Sequence, residues 1–163
     1  MNETGAILIT GAAAFLAAIW GVYSQRVLAR RQATIEHLAA LNSDPRVLIN
    51  RRAFIAITRD VENLAQFATT QCLGSRETQI INSVLNQFEL IAVGVERGIF
   101  DYTLVRRWSA TTIVRYWNHL HPYVIATRNR VGSPTLWLEF EVLSGWVSGT
   151  KKPPRHLWWT GFG

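Results

Sequence analysis

The chain has 163 residues, a net charge of +6, and 48% apolar and 11% aromatic content with seven tryptophans. That composition excludes a disordered segment and allows one domain with a core of its own. The single cysteine, Cys72, excludes an internal disulfide and suits a reducing compartment.

The first predicted element is an uncharged run of 21 residues, Gly5 to Gln25, reading GAILITGAAAFLAAIWGVYSQ. A helix of about 20 such residues crosses a hydrocarbon core of about 30 Å. Signal peptides open on a basic stretch, whereas the leader here, residues 1–4, has Glu3 and no base. The run is therefore read as a transmembrane helix. Arg26, Arg30 and Arg31 follow it at once, so the positive-inside rule places the later chain in the cytoplasm and the amino terminus outside. Trp20 and Tyr23 fall at the same end, where amphipathic rings favour the headgroup level. Ala13, Ala17 and Gly21 recur every four residues, beside a second row of Thr10, Ala14 and Ala18. Small residues let helices approach closely in lipid, so the first row is a candidate self-association face.

Residues 26–43 continue at helical spacing through Val27, Leu28, Ile35, Leu38 and Leu41, and are expected to form a juxtamembrane stalk. Asn42-Ser43-Asp44-Pro45 interrupts them, with Asp44 as a cap and Pro45 at the first helical position. A helical bundle of four or five helices is expected over residues 44–148. Its first helix places Val47, Phe54, Val61 and Ala68 at seven-residue steps. Leu73-Gly74-Ser75 turns the chain. The next helix carries Ile80, Val84, Phe88, Ile91 and Val95 on one stripe and ends near Gly98. Asp101 caps a helix bearing Leu104, Trp108, Ile113, Trp117 and Leu120, which Pro122 is expected to interrupt before a short piece from Tyr123 to Arg130. Ser133 and Pro134 open the last helix, which buries Leu136, Trp137, Phe140 and Leu143. Residues 149–163 form a basic and aromatic tail ending in Trp158-Trp159. No strand-like alternation occurs, so the fold class is all-α.

No Cys/His cluster has zinc spacing, and there is no phosphate-binding loop, dinucleotide fingerprint or nucleophile elbow. No metal or cofactor is expected, and a non-enzymatic role is favoured. Glu89, Arg115, Arg128 and Glu141 interrupt apolar surroundings. A buried carboxylate needs a partner, so the expected role is structural, with Glu89 or Glu141 pairing Arg115 or Arg128. From Arg26 onward the chain has 17 basic against 10 acidic residues, a balance that suits an anionic inner leaflet. Nucleic acid is the less favoured partner. Arg106, Arg107, Arg115, Arg128, Arg130, Lys151, Lys152 and Arg155 are scattered rather than gathered on one helix face.

Three likenesses follow, the first carried by the longest run of residues. Leu85-Asn86-Gln87-Phe88-Glu89-Leu90-Ile91-Ala92-Val93-Gly94-Val95-Glu96-Arg97-Gly98-Ile99, with Asp101, resembles the core of the bacterial domain-of-unknown-function family 4760. Leu41 to Pro45, Val114 to Trp117, Pro122, Arg128 and Pro134 to Glu141 are similar to it too. That resemblance implies a small helical protein with an N-terminal membrane helix, here in a bacterial inner membrane, and no particular activity. Arg115 and His121, with five residues between them, resemble the R-x(4–6)-H motif of HEPN ribonuclease domains, in which histidine serves as acid or base. Size, topology and that spacing also resemble the membrane-anchored, pore-forming accessory protein of type VI-B CRISPR systems, which implies a phage-defence role by analogy. The expected partners are the lipid bilayer and further copies of the chain. The alternatives are an adaptor docking another membrane or cytoplasmic protein, and a HEPN-like ribonuclease.

Overall fold

The computed structural model describes residues 3–154, with side chains from residue 11. Among the described residues the secondary structure is entirely helical. Five α-helices follow in order: α1 (Glu3–Ser43), α2 (Pro45–Asp60), α3 (Arg76–Glu96), α4 (Tyr102–Val131) and α5 (Leu138–Ser148). Two short 3₁₀ turns, Leu64–Ala68 and Thr70–Cys72, join α2 to α3. The chain is thus one long N-terminal apolar helix followed by a helical bundle.

The 41-residue α1 runs unbroken through the expected anchor and stalk. From Gly11 to Ser43 it is long and apolar enough to cross a membrane, and none of its most apolar stretch is buried against the rest of the molecule. Asp44 ends it and starts α2, its carboxylate accepting from the Arg46 N–H at 2.8 Å.

The bundle closes around an aromatic cluster drawn from all four later helices. Phe54 of α2 lies 4.9 Å from Tyr116 of α4, centroid to centroid. Phe88 of α3 stacks on Phe140 of α5 at 4.9 Å, and Trp117 meets Phe140 edge-on at 5.2 Å. Leu85, Ile81, Val95, Ile113, Leu120 and Leu143 are fully enclosed around these rings. The α3 stripe foreseen from periodicity is the buried face of that helix.

Three local expectations are corrected. The seven-residue spacing from Val47 to Ala68 does not belong to one helix, because α2 stops at Asp60. Val61 is extended, and the Asn63 side chain takes the Ala65 N–H at 3.0 Å to cap a 3₁₀ turn instead. Ala68 is still buried, on that turn. Pro122 does not break α4, which runs 30 residues through it. An internal proline costs about 3 kcal/mol. Here it is flanked by buried Leu120, Tyr123 and Val124, and the Tyr123 hydroxyl donates to Asn82 Oδ1 at 2.9 Å. Packing on both sides of the proline holds the helix together. Finally, Ser133 and Pro134 do not start the last helix. The chain turns through them, and α5 begins only after Trp137, whose φ of 55° is the left-handed region rarely used by a bulky residue.

Candidate functional site

Several residues that carry the family likeness fall in a polar framework of two separate halves, one tying α3 to α5 and α4, the other tying the bundle to the stalk. Its first half starts the last helix. Trp137 at the N-cap position offers no capping side chain; the Leu138 N–H reaches the Thr135 carbonyl at 3.1 Å, and the next N–H groups of α5 need an acceptor from elsewhere. Glu89, in the middle of α3, supplies one from 50 residues away. Its two carboxylate oxygens accept from the N–H groups of Phe140 at 2.8 Å and Glu139 at 3.3 Å. Burial pushes the Glu89 carboxyl above the ordinary carboxylate range, a shift that these two N–H groups oppose. Three residues earlier on α3, Asn86 Oδ1 accepts from the Trp137 indole N–H at 2.9 Å, which fixes the strained residue in place.

Arg128 of α4 completes this half. Its Nε donates to the Leu136 carbonyl and its Nη1 to Glu141, each at 2.8 Å. That hydrogen bond holds Glu141 below the ordinary range, and Lys151 lies 3.6 Å from the same carboxylate. Glu89 and Glu141 thus divide the work: Glu89 binds backbone, and Glu141 binds Arg128.

The second half joins bundle to stalk. Gly94 lies so close to the Phe100 ring that any added Cβ would overlap it. Asp101 is almost fully enclosed. It caps α4 by accepting from the Leu104 N–H at 3.1 Å, and it faces Arg31 of α1 at 3.6 Å. Its own N–H donates to Thr34 Oγ1 at 2.8 Å, and that hydroxyl donates to the Arg30 carbonyl at 2.7 Å. His37 stacks on Phe100 at 4.8 Å, and burial lowers its pKa. The stalk is therefore clamped to the bundle about two turns beyond the end of the uncharged run.

The remaining sequence candidates fall elsewhere. Trp20 and Tyr23 are exposed on α1, with ring centroids 6.3 Å apart. Arg26 is exposed there, whereas Arg30 lies beside Gly98 and Arg31 faces Asp101. Ala13 and Ala17 are exposed, and no atom approaches the position a Gly21 side chain would take. Thr10, Arg155 and Trp158-Trp159 lie outside the residues whose side chains are described.

Arg115 and His121 are both exposed on α4. Six residues along an α-helix place them about 9 Å apart axially and about 120° apart around it. Arg115 shares a shallow groove with Val114, Asn118 and His119, while His121 leans toward Trp117 at 5.5 Å. One chain does not bring the pair together. A more enclosed cavity, where α1, α2, α3 and α4 meet, measures about 70 Å³ and is lined by Leu41, Arg51 and Phe88 among others. It has room for a few waters. No three His, Cys, Asp or Glu side chains gather into a metal-binding group among the described residues.

The sequence pairs Glu89 or Glu141 with Arg115 or Arg128; in the structure Arg128 pairs with Glu141, Arg115 is exposed, and the donors to Glu89 are backbone N–H groups. A carboxylate that binds backbone N–H groups leaves no complementary residue to be found in the sequence. The strained Trp137 turn was equally invisible.

The class defined by the fold and these contacts is an all-α bundle, cross-tied by polar residues that are mostly half-buried, with a long apolar N-terminal helix. The family model described as Domain of unknown function (DUF4760) matches residues 8–146, and the chain belongs to that family. No curated protein and no solved structure matches it.

Proposed function

We propose that the protein is a single-pass, non-enzymatic scaffold of the bacterial inner membrane, with its amino terminus outside and its bundle in the cytoplasm, that assembles with copies of itself. The observation that carries this reading is an uncovered apolar helix continuous with a clamped stalk. Phe15, Leu16, Ile19, Trp20, Val22 and Leu28 are each at least half exposed and are spread around the helix, an all-round apolar surface that lipid would cover. The helix then enters the Thr34–Asp101–Arg31 clamp without a hinge. A rigid junction of this kind makes the orientation of each bundle follow the packing of its anchor helix. The Ala13, Ala17 and Gly21 row supplies a face on which anchors can approach. A ring enclosing a pore, with a phage-defence role, is the extended form of this reading and rests on the likeness to the type VI-B accessory protein.

The test is the assembly state in mild detergent and in lipid nanodiscs. Wild type is expected as a defined oligomer, and Ala17→Leu with Gly21→Leu as a smaller species. A monodisperse wild-type monomer, or an oligomer indifferent to both substitutions, refutes self-assembly through this face.

An adaptor reading has one observation in its favour: Trp108 of α4 is 68% exposed on the helical bundle, and exposed tryptophans are enriched at interaction sites. A stoichiometric foreign subunit that co-purifies with wild type and is lost in Trp108→Ala would establish it.

A further inference from the structure

The turn between α3 and α4 ends α3 in a Schellman motif. The Gly98 N–H donates to Val95 and the Ile99 N–H to Gly94, at 3.0 and 2.8 Å, with Gly98 at φ 67°. In this motif an apolar residue at the Ile99 position normally folds back onto the helix residue that its N–H reaches. Here that residue is Gly94, which offers no side chain, and Phe100 covers it instead. Ile99 is consequently turned outward and 56% exposed, beside an exposed Arg97.

The direction in which it points follows from the packing. Leu38, Leu41 and Asn42 of α1 lie level with Gln87, Phe88 and Ile91 of α3. Thr34 lies level with Asp101, and the Arg30 guanidinium lies beside Gly98. The two helices are therefore antiparallel, and the Arg97–Ile99 tip is the end of the bundle nearest the apolar part of α1. The Tyr102 hydroxyl donates to the Trp146 carbonyl at 3.1 Å, which brings the C-terminal end of α5 to the same level. Gln25 to Arg30 spans about 7 Å of helix axis. The headgroup zone of one leaflet is about 5–8 Å deep. Arg30 and the tip thus come level with the water-facing edge of the adjoining leaflet's headgroup zone when residues 5–25 fill the hydrocarbon.

We infer that the Arg97–Gly98–Ile99 tip is a second membrane contact, which inserts Ile99 among the anionic headgroups of the leaflet that the anchor crosses. This rests on the anchor reading given above. Charge supports anionic lipid: Arg26, Arg30 and Arg97 lie at this level against Glu96, whose 3.0 Å pair with Arg97 is surface-exposed and correspondingly weak. The contact fixes the tilt of the bundle at a second point, which a single helix cannot do.

The test uses the full chain with Cys72→Ser, a polarity-sensitive fluorophore on one introduced cysteine, and nanodiscs containing nitroxide-labelled lipids. The three positions are Ile19→Cys in the anchor, Ile99→Cys at the tip, and Leu90→Cys, an exposed site about 13 Å higher on α3. A headgroup nitroxide is expected to quench position 99 and not position 90. Quenching at 99 is expected to weaken when phosphatidylglycerol is replaced by phosphatidylcholine, or when Arg97→Gln is added. Equal response at 90 and 99, or none at 99 while a deep nitroxide quenches position 19, overturns the tip contact and leaves the anchor standing. No quenching at position 19 overturns both. Quenching at 99 that ignores lipid charge and Arg97 overturns the anionic preference.

Discussion

Replacing Glu89 by alanine removes the acceptor on which α5 starts. Hydrogen bonds to a charged group contribute about 1.5–3 kcal/mol each, and a lost helix cap costs about 0.5–2 kcal/mol. One of the two bonds is long at 3.3 Å, and the carboxylate is held against a desolvation penalty. The net cost of Glu89→Ala is accordingly set at about 2–3 kcal/mol. For a chain of this length that lowers Tm by about 5–10 °C. Glu89→Gln retains one acceptor oxygen and removes the buried charge, so about half that loss is expected. The pH dependence carries a sign. Burial raises the folded-state pKa of Glu89, so the folded protein binds its proton more tightly than the unfolded chain. Wild type therefore loses stability relative to Glu89→Gln as the pH rises from the ordinary carboxylate value through the raised one. Glu141 has the opposite sign, because its hydrogen bond from Arg128 lowers its pKa. Its contribution is complete above the ordinary value and is lost as the pH falls through the lowered one. Thermal melts in detergent, followed by tryptophan emission and near-UV dichroism from acid to neutral pH, read both effects. Amide exchange at Glu139 and Phe140 localises the first. An unchanged Tm in Glu89→Ala, or a wild-type advantage over Glu89→Gln that grows with pH, would refute the reasoning.

Two further outcomes test the stalk joint. Gly94→Ala forces a Cβ into the Phe100 ring, and overpacking of this kind costs about 1–3 kcal/mol. In a double-mutant cycle by thermal melting, Gly94→Ala should cost little once Phe100→Ala is present; equal cost in both backgrounds would reject the clash. Asp101→Asn keeps the cap on α4 but removes the charge facing Arg31, whose side chain reaches water, so a cost of about 1–2 kcal/mol is expected. Hydrogen exchange over residues 30–38 should accelerate more than over α3, and uniform acceleration would place the effect outside the joint.

Much of this protein follows from short-range pattern. The uncharged run of α1, the Asp44 and Asp101 caps, the Ser75 start of α3 and its apolar stripe depend on residues within a few positions of one another. Helical periodicity and capping chemistry are local, so the sequence alone determined the all-α class, the long first helix and most of the core face of α3. Boundaries failed where distant packing outweighed local preference. Pro122 was carried through by the burial of Tyr123 and Val124, and α5 was delayed to Leu138 by a carboxylate on another helix.

What only the tertiary structure decided is how the motif residues divide their labour. Glu89 binds backbone rather than an arginine, and Gly94 makes room for Phe100. Asp101 reaches back 67 residues to Thr34, which leaves Arg30 and Arg31 at the joint between stalk and bundle. The physical reason is that buried polar groups must find partners wherever the packed chain supplies them. Those partners are backbone atoms and distant side chains that carry no mark in the linear order. The apolar character of α1 is written in composition, whereas the clamp that makes it rigid with the bundle exists only once α1, α3 and α4 have packed together.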